Sequence, residues 1–192
     1  MRHLSRREFA RDIRENFLHR GWLHRWLDLV PAYIDWQITR NREWRISDVE
    51  VRAAVTRQCR TGSYEIRGRL DRVDHRGIGT GIVDYKTGAV PDAHAVTAGE
   101  AVQLPLYALL HAQPVDRVEY LRLDGDVKSA VVLEGEPLRA LAELSGERFD
   151  KLVDDLHAGA PLPAWGDEVT CGYCEFGPVC RRQLWHEGDR DE

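Results

Sequence analysis

The sequence contains no apolar run that approaches the roughly 20 residues needed to span a bilayer. Its start, MRHLSRREFARD, has no apolar signal region, so we expect a cytoplasmic protein. No phosphate-binding loop of the Walker type occurs, and we expect no ATP hydrolysis by this chain. A basic excess is also missing, because the formal net charge is −5. This charge argues against a strongly basic nucleic-acid coat, but it permits an acid-rich site that meets DNA through local basic residues.

Cysteine is scarce and unevenly placed. The chain has four cysteines, and Cys171, Cys174 and Cys180 fall within ten residues near the C-terminus. In a cytosolic chain such clustering favours a metal or cluster site over disulfides. The spacing leaves two options open, because zinc takes four ligands in a closed tetrahedron and a 4Fe–4S cluster takes four cysteines.

What the sequence does contain is the composition of a globular protein. Its 192 residues are 43% hydrophobic and 31% charged, enough for one domain with a core. Apolar residues at helical spacing over residues 5–40 predict two helices broken near Pro31. Four arginines in this region are most simply a solvated face, with DNA contact as the alternative. They are Arg11, Arg14, Arg20 and Arg25.

From about residue 48 the period changes to two, which predicts strands. DVEVRAAV and YEIRGRLDRVD predict a hairpin with Gly62 in its turn, and HRGIGTG predicts a second turn into the strand GIVDYK. TAGE, residues 97–100, predicts a capping box that opens a helix over residues 100–112.

The remaining pattern completes the order of elements. VDRVEYLRL and VKSAVVL, parted by DGD, predict another hairpin, and a long amphipathic helix follows and ends at Gly159. We therefore predict an α/β (α+β) fold, in which a mixed central sheet is flanked by helices.

Two carboxylates and a lysine stand out on neighbouring predicted strands. GRLDRVD carries Asp71, and IVDYKTG carries Asp84 and, two residues later on the same face, Lys86. Strand pairing can bring the two carboxylates together, where they repel unless a proton or a cation lies between them. Mg²⁺ uses one or two carboxylates, and a nearby lysine can orient water and stabilise charge on a phosphate. The alternative is an inert cluster of surface ion pairs.

GRLDRVD, IVDYKTG and QLPLY, in this order, resemble the RecB-type branch of the PD-(D/E)XK nuclease superfamily. The resemblance implies a restriction-endonuclease-like nuclease core with a site formed by Asp71, Asp84 and Lys86. It also implies Mg²⁺ or Mn²⁺ as the cofactor, with the backbone carbonyl of Tyr85 as a further metal ligand.

Three further residues are compared with the same family. Gln103 and Tyr107 match its Q-x-x-x-Y motif; four residues apart, they share a helix face, and the resemblance implies that they line a DNA channel near the scissile phosphate. Glu50 begins the first strand, where the family often has an acid, and is a candidate at or beside the metal; a solvent-facing Glu is the alternative.

His24 follows Gly21 by three residues on a predicted helix, which is similar to the family's Gly-x-x-(x)-His. It is therefore a candidate metal ligand, as is His19 in second place. The alternative is that both are ordinary helix histidines without a ligand role.

The cysteine tail resembles the C-terminal triplet of AddB-type nucleases and of CRISPR-associated exonucleases. The resemblance implies a 4Fe–4S cluster that joins the triplet to one upstream cysteine and fastens the tail to the nuclease body. Cys59, in the predicted hairpin turn, is the candidate for the fourth ligand; a bystander thiol, or a lost fourth ligand, is the alternative.

Together these observations predict three segments: an N-terminal helical segment (1–45), a nuclease core (46–160) and a Cys-rich iron–sulfur tail (161–192). The predicted function is a metal-dependent deoxyribonuclease, exonuclease rather than endonuclease, that acts in DNA double-strand-break repair. Its partners would be DNA and a helicase–nuclease subunit, with no membrane. The chain would be a C-terminal piece of a longer protein or a shortened homologue. The alternatives are a catalytically incomplete DNA-binding or partner-docking remnant, and a stand-alone exonuclease of the CRISPR-associated type.

Overall fold

The computed structural model describes residues 1–161, 166 and 171–180. Its helices are α1 (Arg2–Glu15), α2 (His19–Arg40), α3 (Ala93–Ala98), α4 (Gln103–Leu110), α5 (Gly135–His157) and α6 (Gly177–Cys180). Its strands are β1 (Arg45–Cys59), β2 (Gly62–Arg76), β3 (Gly79–Lys86), β4 (Val115–Asp124) and β5 (Asp126–Glu134). Of the helices within this part of the chain, none has the length and apolar character to cross a membrane.

The five strands form one sheet in the order β1-β2-β3-β4-β5. β3 and β4 run parallel, and the other neighbours are antiparallel. A parallel pair needs a crossover connection, which α3 and α4 provide between β3 and β4. The prediction of a mixed sheet flanked by helices is confirmed.

β3 is the central strand, and helices cover the sheet from both sides. α4 and α5 pack on one face and α2 on the other. The main core lies beneath α4 and α5. Its buried members are Leu70, Val73, Ile82, Val96, Leu104, Tyr107, Leu110, Val115, Val118, Tyr120, Leu138 and Leu141.

The predicted helix break near Pro31 is wrong. α2 continues through Pro31, and the chain instead breaks at residues 16–18. Asn16 leaves the helical conformation (φ −146°), and its side-chain oxygen accepts a hydrogen bond from Leu18 N at 3.0 Å. An interior proline removes one backbone donor, at a cost of about 3 kcal/mol, and the packing of a 22-residue helix on the sheet outweighs that loss.

The predicted capping box at residues 97–100 is also wrong. Thr97 lies inside α3, where its hydroxyl donates to Ala93 O at 2.9 Å. The cap of α3 is Asp92, whose carboxylate accepts from Ala95 N at 2.7 Å. α3 ends at Gly99, which adopts the left-handed conformation (φ 82°), and the next helix begins only at Gln103.

Candidate active site

The pairing of β2 with β3 places the two predicted carboxylates side by side. Arg72 pairs with Val83, so Asp71 and Asp84 are the next residues along the two strands. Asp71 Oδ2 accepts a hydrogen bond from Tyr85 N at 2.9 Å. This bond ties Asp71 to the peptide that follows Asp84 and fixes where both carboxylates lie.

Asp84 is buried and only partly satisfied by its neighbours. The side chain is 2% exposed. Gln103 Nε2 donates to its Oδ1 at 2.8 Å, and Lys86 Nζ lies 2.8 Å from its Oδ2. Within the described structure Lys86 is the one close partner of Oδ2, and at 2.8 Å the contact is a charge-assisted pair whose hydrogen-bond alignment is poor. A buried carboxylate oxygen without a directed donor retains its full capacity as an acceptor.

The electrostatics of the site disfavour the charged form of Asp84. Burial raises the pKa of this carboxyl, and the neighbouring charge of Asp71 raises it further. Lys86 acts in the opposite direction but does not cancel the other two effects. The site therefore has less positive charge than its two carboxylates need.

α4 supplies the rest of the hydrogen-bonding network. Lys86 Nζ donates to Gln103 Oε1 at 2.6 Å, and Gln103 Nε2 also donates to Tyr107 Oη at 2.7 Å. Gln103 and Tyr107 are one helical turn apart, as predicted, and both face Asp84. Burial raises the pKa of Tyr107 to about 12. The structure thus brings these two residues to the carboxylate; that they line a DNA channel stays a prediction.

The donor set fits a hard divalent cation. Asp71, Asp84 and the carbonyl of Tyr85 offer oxygen ligands, which such ions prefer. The unaligned Asp84 Oδ2 and the shortage of positive charge both favour an added cation. Across the described ranges, no group of three or more His, Cys, Asp or Glu side chains stands in a metal-binding arrangement. A bound ion would therefore rely on two carboxylates, the backbone carbonyl and water.

Among the described residues, the two further metal candidates do not join this pair in a metal-binding group. His24 is exposed on α2, with its Nδ1 3.4 Å from Asp28 Oδ2. Glu50 is exposed and forms an ion pair with Arg69. Glu50 falls opposite Asp71 in the β1–β2 ladder and has a positive φ of 55°, which is unusual for a residue with a side chain.

Comparison with known proteins identifies the family to which this fold and this site belong. A family profile of the PD-(D/E)XK nuclease superfamily matches residues 1–181. The chain belongs to the PD-(D/E)XK nuclease superfamily. Among solved structures, it is similar to the crystal structure of SSO0001, with 17% identity and a TM-score of 0.48 over 93% of this chain and 81% of that chain. No curated protein matches it.

Membership in the PD-(D/E)XK nuclease superfamily indicates a metal-dependent nuclease, and such enzymes generally use Mg²⁺ or Mn²⁺. It does not extend to the predicted iron–sulfur cluster. Cys59 lies at the end of β1, with its Sγ 3.4 Å from Gly62 O, and Cys174 is exposed. Within residues 1–161, 166 and 171–180, the cysteines do not converge into a metal-binding group, so the structure gives the predicted four-cysteine cluster no support. Of the predicted Cys-rich tail (161–192), residues 162–165, 167–170 and 181–192 lie outside the described residues.

Behind the site, the PD-(D/E)XK sheet buries a charged network that the sequence analysis missed. Arg72 donates to both oxygens of Asp74, at 2.6 and 3.1 Å, and Arg40 pairs with Asp74 and Glu119. Arg117 donates to both oxygens of Glu119, at 2.9 and 3.2 Å. The network joins α2 to β2 and β4 across the face opposite the candidate active site.

A tyrosine connects this network to the catalytic strand. Arg72 Nη1 donates to Tyr85 Oη at 3.2 Å, and Tyr33 Oη of α2 lies 3.2 Å from the same hydroxyl. Tyr85 stands between Asp84 and Lys86 and points to the opposite face. The motif DRVD contained the relevant signal, because on a strand covered from both sides Arg72 and Asp74 must be buried together and therefore need partners.

Proposed function

We propose that this chain is a divalent-metal-dependent deoxyribonuclease of the RecB/AddB-like type, which hydrolyses phosphodiester bonds in DNA. One observation carries the proposal: Asp84 is buried beside Asp71 with a raised pKa and an oxygen that lacks an aligned donor, and Lys86 stands next to it. Such an arrangement destabilises the folded protein, and it is expected at a site where a bound cation and a phosphate would neutralise the unmatched charge.

In this proposal Asp71, Asp84 and the Tyr85 carbonyl hold Mg²⁺ or Mn²⁺. When bound, the cation supplies Lewis-acid polarisation of the phosphate and neutralises charge that develops on it. The hydrogen bond from Tyr85 N to Asp71 Oδ2 leaves the other oxygen of Asp71 available. Gln103 holds Asp84 through Oδ1, which keeps Oδ2 turned into the site.

Lys86 acts on the phosphate and the attacking water. Its ammonium group has three N–H donors; one is directed to Gln103 Oε1, and the ion pair with Asp84 holds the group in place. The remaining donors can position a water molecule and stabilise negative charge on a phosphate oxygen. The ring of Tyr120, whose centroid lies 5.1 Å from Nζ, stabilises the ammonium group by a cation–π contact.

The reaction is a hydrolysis. The oxygen of the water forms a bond to phosphorus, the bond from phosphorus to the leaving ester oxygen breaks, and that oxygen takes up a proton. The products are a phosphate monoester and a free hydroxyl. No electrons are transferred, and no ATP is required.

The test is cleavage of DNA by metal-free protein to which Mg²⁺, Mn²⁺ or Ca²⁺ is added back. We expect cutting with Mg²⁺ or Mn²⁺, none in excess EDTA, and none with Asp84→Asn. Asp126→Asn, a matched change at an exposed residue paired with Arg122, should cut like the wild type. An Asp84→Asn protein that cuts normally would contradict the assignment. A folded wild type that binds DNA without cutting it would favour the incomplete DNA-binding remnant instead.

The finer features of the proposal follow from the same three motifs. We propose exonuclease action within double-strand-break repair, alongside a helicase–nuclease partner subunit. Linear end-labelled DNA and covalently closed circular DNA separate the modes, because an exonuclease degrades only the former. Cutting of the closed circle would reassign the chain as an endonuclease.

The 4Fe–4S cluster stays a prediction that rests on the spacing of Cys171, Cys174 and Cys180. Anaerobic purification, followed by iron, sulfide and zinc analysis, tests it. Four irons in the wild type that are lost in Cys59→Ser would identify Cys59 as the fourth ligand. Zinc, or no metal, would remove the cluster from the proposal without touching the nuclease site.

A further inference from the structure

The direction of α2 relative to β3 has a consequence for the surface around the site. Near the C-terminal end of α2, Arg40 contacts Asp74, which pairs with Gly81 of β3. Seven residues earlier, Tyr33 contacts Tyr85, close to the end of β3. α2 therefore runs antiparallel to β3, and its N-terminal half extends past the end of the strand that carries the candidate active site.

The overhang is long enough to matter to a polymeric substrate. Trp22 precedes Tyr33 by eleven residues of continuous helix, which is about 16 Å at 1.5 Å per residue. A nucleic-acid strand advances about 3.4 Å per stacked nucleotide, so this distance corresponds to about five nucleotides. Trp22 thus lies beyond the reach of the scissile phosphate but within reach of the strand that carries it.

The side chains at this end of α2 combine exposed aromatic surface with positive charge. We call them the α2 tip: Phe17, His19, Arg20, Trp22 and Arg25. Phe17 is 72% exposed and Trp22 is 56% exposed. The rings of His19 and Trp22 stack with their centroids 4.8 Å apart and an angle of 19° between their planes. Stacking on His19 holds one face of Trp22 and orients the indole.

Charge is segregated toward this part of the protein. Residues 1–30 contain seven arginines and four acidic residues, a formal charge of +3, whereas the whole chain carries −5. Arg20 and Arg25 are exposed, and neither forms an ion pair with any residue that the structure describes. Arg7 and Arg11 of α1, by contrast, pair with neighbouring acids. Within the described residues Arg2, Arg6 and Arg14 of α1 are also exposed and outside any ion pair, so the region as a whole offers positive charge, and Arg20 and Arg25 place two of these charges beside the exposed aromatic rings.

We propose that the α2 tip binds a single strand of DNA at least about five nucleotides from the scissile phosphate, since this distance is measured from Tyr33, which meets Tyr85 on the face of the sheet opposite Asp84. The inference rests on the proposed nuclease function and names the form of its substrate. Trp22 and Phe17 stack on unpaired bases, and Arg20 and Arg25 contact phosphates. A single strand fits better than a duplex, because a duplex hides the faces of its bases.

The experiment measures binding of a fluorescein-labelled oligothymidylate of about 15 nucleotides, which exceeds the predicted span, to metal-free protein in EDTA. Trp22→Ala should weaken Kd about five- to a hundredfold, and Trp22→Phe should restore most of the affinity. Ile78→Ala is the matched control, because Ile78 is fully exposed in the turn before β3, at the opposite end of that strand. It should bind like the wild type.

The arginines are tested through salt. Arg20→Gln combined with Arg25→Gln should lower the slope of log Kd against log salt by about 1.4, because each single-strand phosphate contact contributes about 0.7. Arg42→Gln, just beyond the other end of α2, should leave the slope unchanged. Unchanged slopes in both variants would overturn the phosphate contacts.

Cleavage separates this inference from the function on which it rests. Bis(p-nitrophenyl) phosphate is a small phosphodiester that can occupy the site at Asp71 and Asp84 but is too short to contact the α2 tip. Trp22→Ala should therefore hydrolyse it at the wild-type rate while showing a raised KM for the oligonucleotide. A wild type that cuts DNA, with Trp22→Ala binding and cutting equally well, would overturn the α2 tip and leave the nuclease intact. If the wild type cuts nothing but Trp22→Ala binds DNA more weakly than the wild type, the α2 tip would stand and the nuclease function would be overturned. Equal loss of affinity for duplex DNA would overturn the assignment to a single strand.

Discussion

The two faces of the sheet each bury a carboxylate, and they treat its charge in opposite ways. Glu119, beneath α2, is fully buried, and Asp84, beneath α4, is 2% exposed. Burial alone raises the pKa of both groups. At Glu119 the hydrogen bond from Arg117 and the charge of Arg40 outweigh burial, and the pKa falls below its ordinary value. At Asp84 the charge and contact of Lys86, with a smaller contribution from Tyr107, do not outweigh burial and Asp71, and the pKa is raised.

The pairing of a buried carboxylate indicates whether its charge stabilises the fold or belongs to a functional site. Both carboxylates of the α2 face, Asp74 and Glu119, pair with two arginines each, so their negative charge is fully matched, although Arg40 Nη2 is buried without a hydrogen-bond partner in the described structure. On the opposite face Lys86 pairs with Asp84 while the charge of Asp71 lies nearby, so among the described residues that face is short of positive charge. Matched carboxylates fasten α2 to the sheet, whereas the unmatched charge at Asp71 and Asp84 is what we propose a bound cation would neutralise.

The largest effect is expected where the charges are matched. Glu119→Gln leaves buried Arg40 with Asp74 alone and half-buried Arg117 with the exposed Glu134 alone, and we expect a loss of about 3–5 kcal/mol in the free energy of unfolding, measured with urea at neutral pH. Glu134→Gln removes the exposed partner of Arg117 and should cost less than about 1 kcal/mol.

The pH dependence of this loss has a defined sign. Because the folded pKa of Glu119 is lowered, its stabilisation is present above the ordinary value and is lost as the pH falls through the folded pKa. The gap between the wild type and Glu119→Gln should therefore close in acid. A gap that stays constant would show that packing, rather than charge, accounts for the loss.

A slightly smaller effect is expected on catalysis at the face with unmatched charge. Lys86→Gln removes the one cation among the described residues that contacts Asp84, and we expect kcat to fall by about 10²–10³, the range for loss of one transition-state donor. KM and the affinity for the divalent ion should change little. Lys128→Gln, on the edge strand β5, is the control and should keep full activity. Loss of DNA affinity without loss of kcat would make Lys86 a binding residue only.

Replacement of a carboxylate by an amide should change the stability of the protein in opposite directions on the two faces, lowering it at Glu119 and raising it at Asp84. In metal-free protein Asp84→Asn should raise the unfolding midpoint, because the raised pKa shows that the site disfavours the charged carboxylate. The gain should disappear as the pH falls through the folded pKa, since wild-type Asp84 then becomes neutral as well. A divalent ion at a hundredfold excess over Kd should add about 2.7 kcal/mol to the wild type and little to the variant. Stabilisation of both proteins to the same extent would place the ion elsewhere.

The sequence could predict the face with unmatched charge better than the face with matched charge. Asp71 lies within β2, and Asp84 and Lys86 lie near the end of the adjoining strand β3, so period-two alternation and strand pairing are enough to bring them together. The partners Arg40, Asp74 and Glu119 lie on three elements separated by up to 79 residues, and no local pattern joins them.

Element boundaries failed for a related physical reason. Pro31 and the sequence TAGE are local features whose usual effects were overridden by tertiary packing and by a competing cap. Asp92 caps α3 five residues before the predicted Thr97, and the extended Asn16 ends α1. A local signal identifies a residue that can break or cap a helix. It does not show whether a neighbouring residue already satisfies the same backbone groups.

The smallest effect is expected at Tyr107, which connects α4 to the carboxylate without holding a charge. Tyr107→Phe removes the hydroxyl that accepts from Gln103 Nε2 at 2.7 Å, and with it one constraint on the amide that holds Asp84 Oδ1. The net contribution of one such hydrogen bond is about 0.5–1.5 kcal/mol, so kcat/KM should fall about two- to tenfold with the metal requirement unchanged.

Tyr120→Phe is the matched control, because it also removes one buried tyrosine hydroxyl near Lys86, but this hydroxyl has no side-chain partner within the described part of the chain. It should leave kcat/KM within about twofold of the wild type. If both variants lose activity equally, the loss reflects the polarity around Lys86 rather than the position of Gln103. If only Tyr107→Phe loses activity, Gln103 is held in register by Tyr107, and the face with unmatched charge depends on α4 to present Asp84 to its cation.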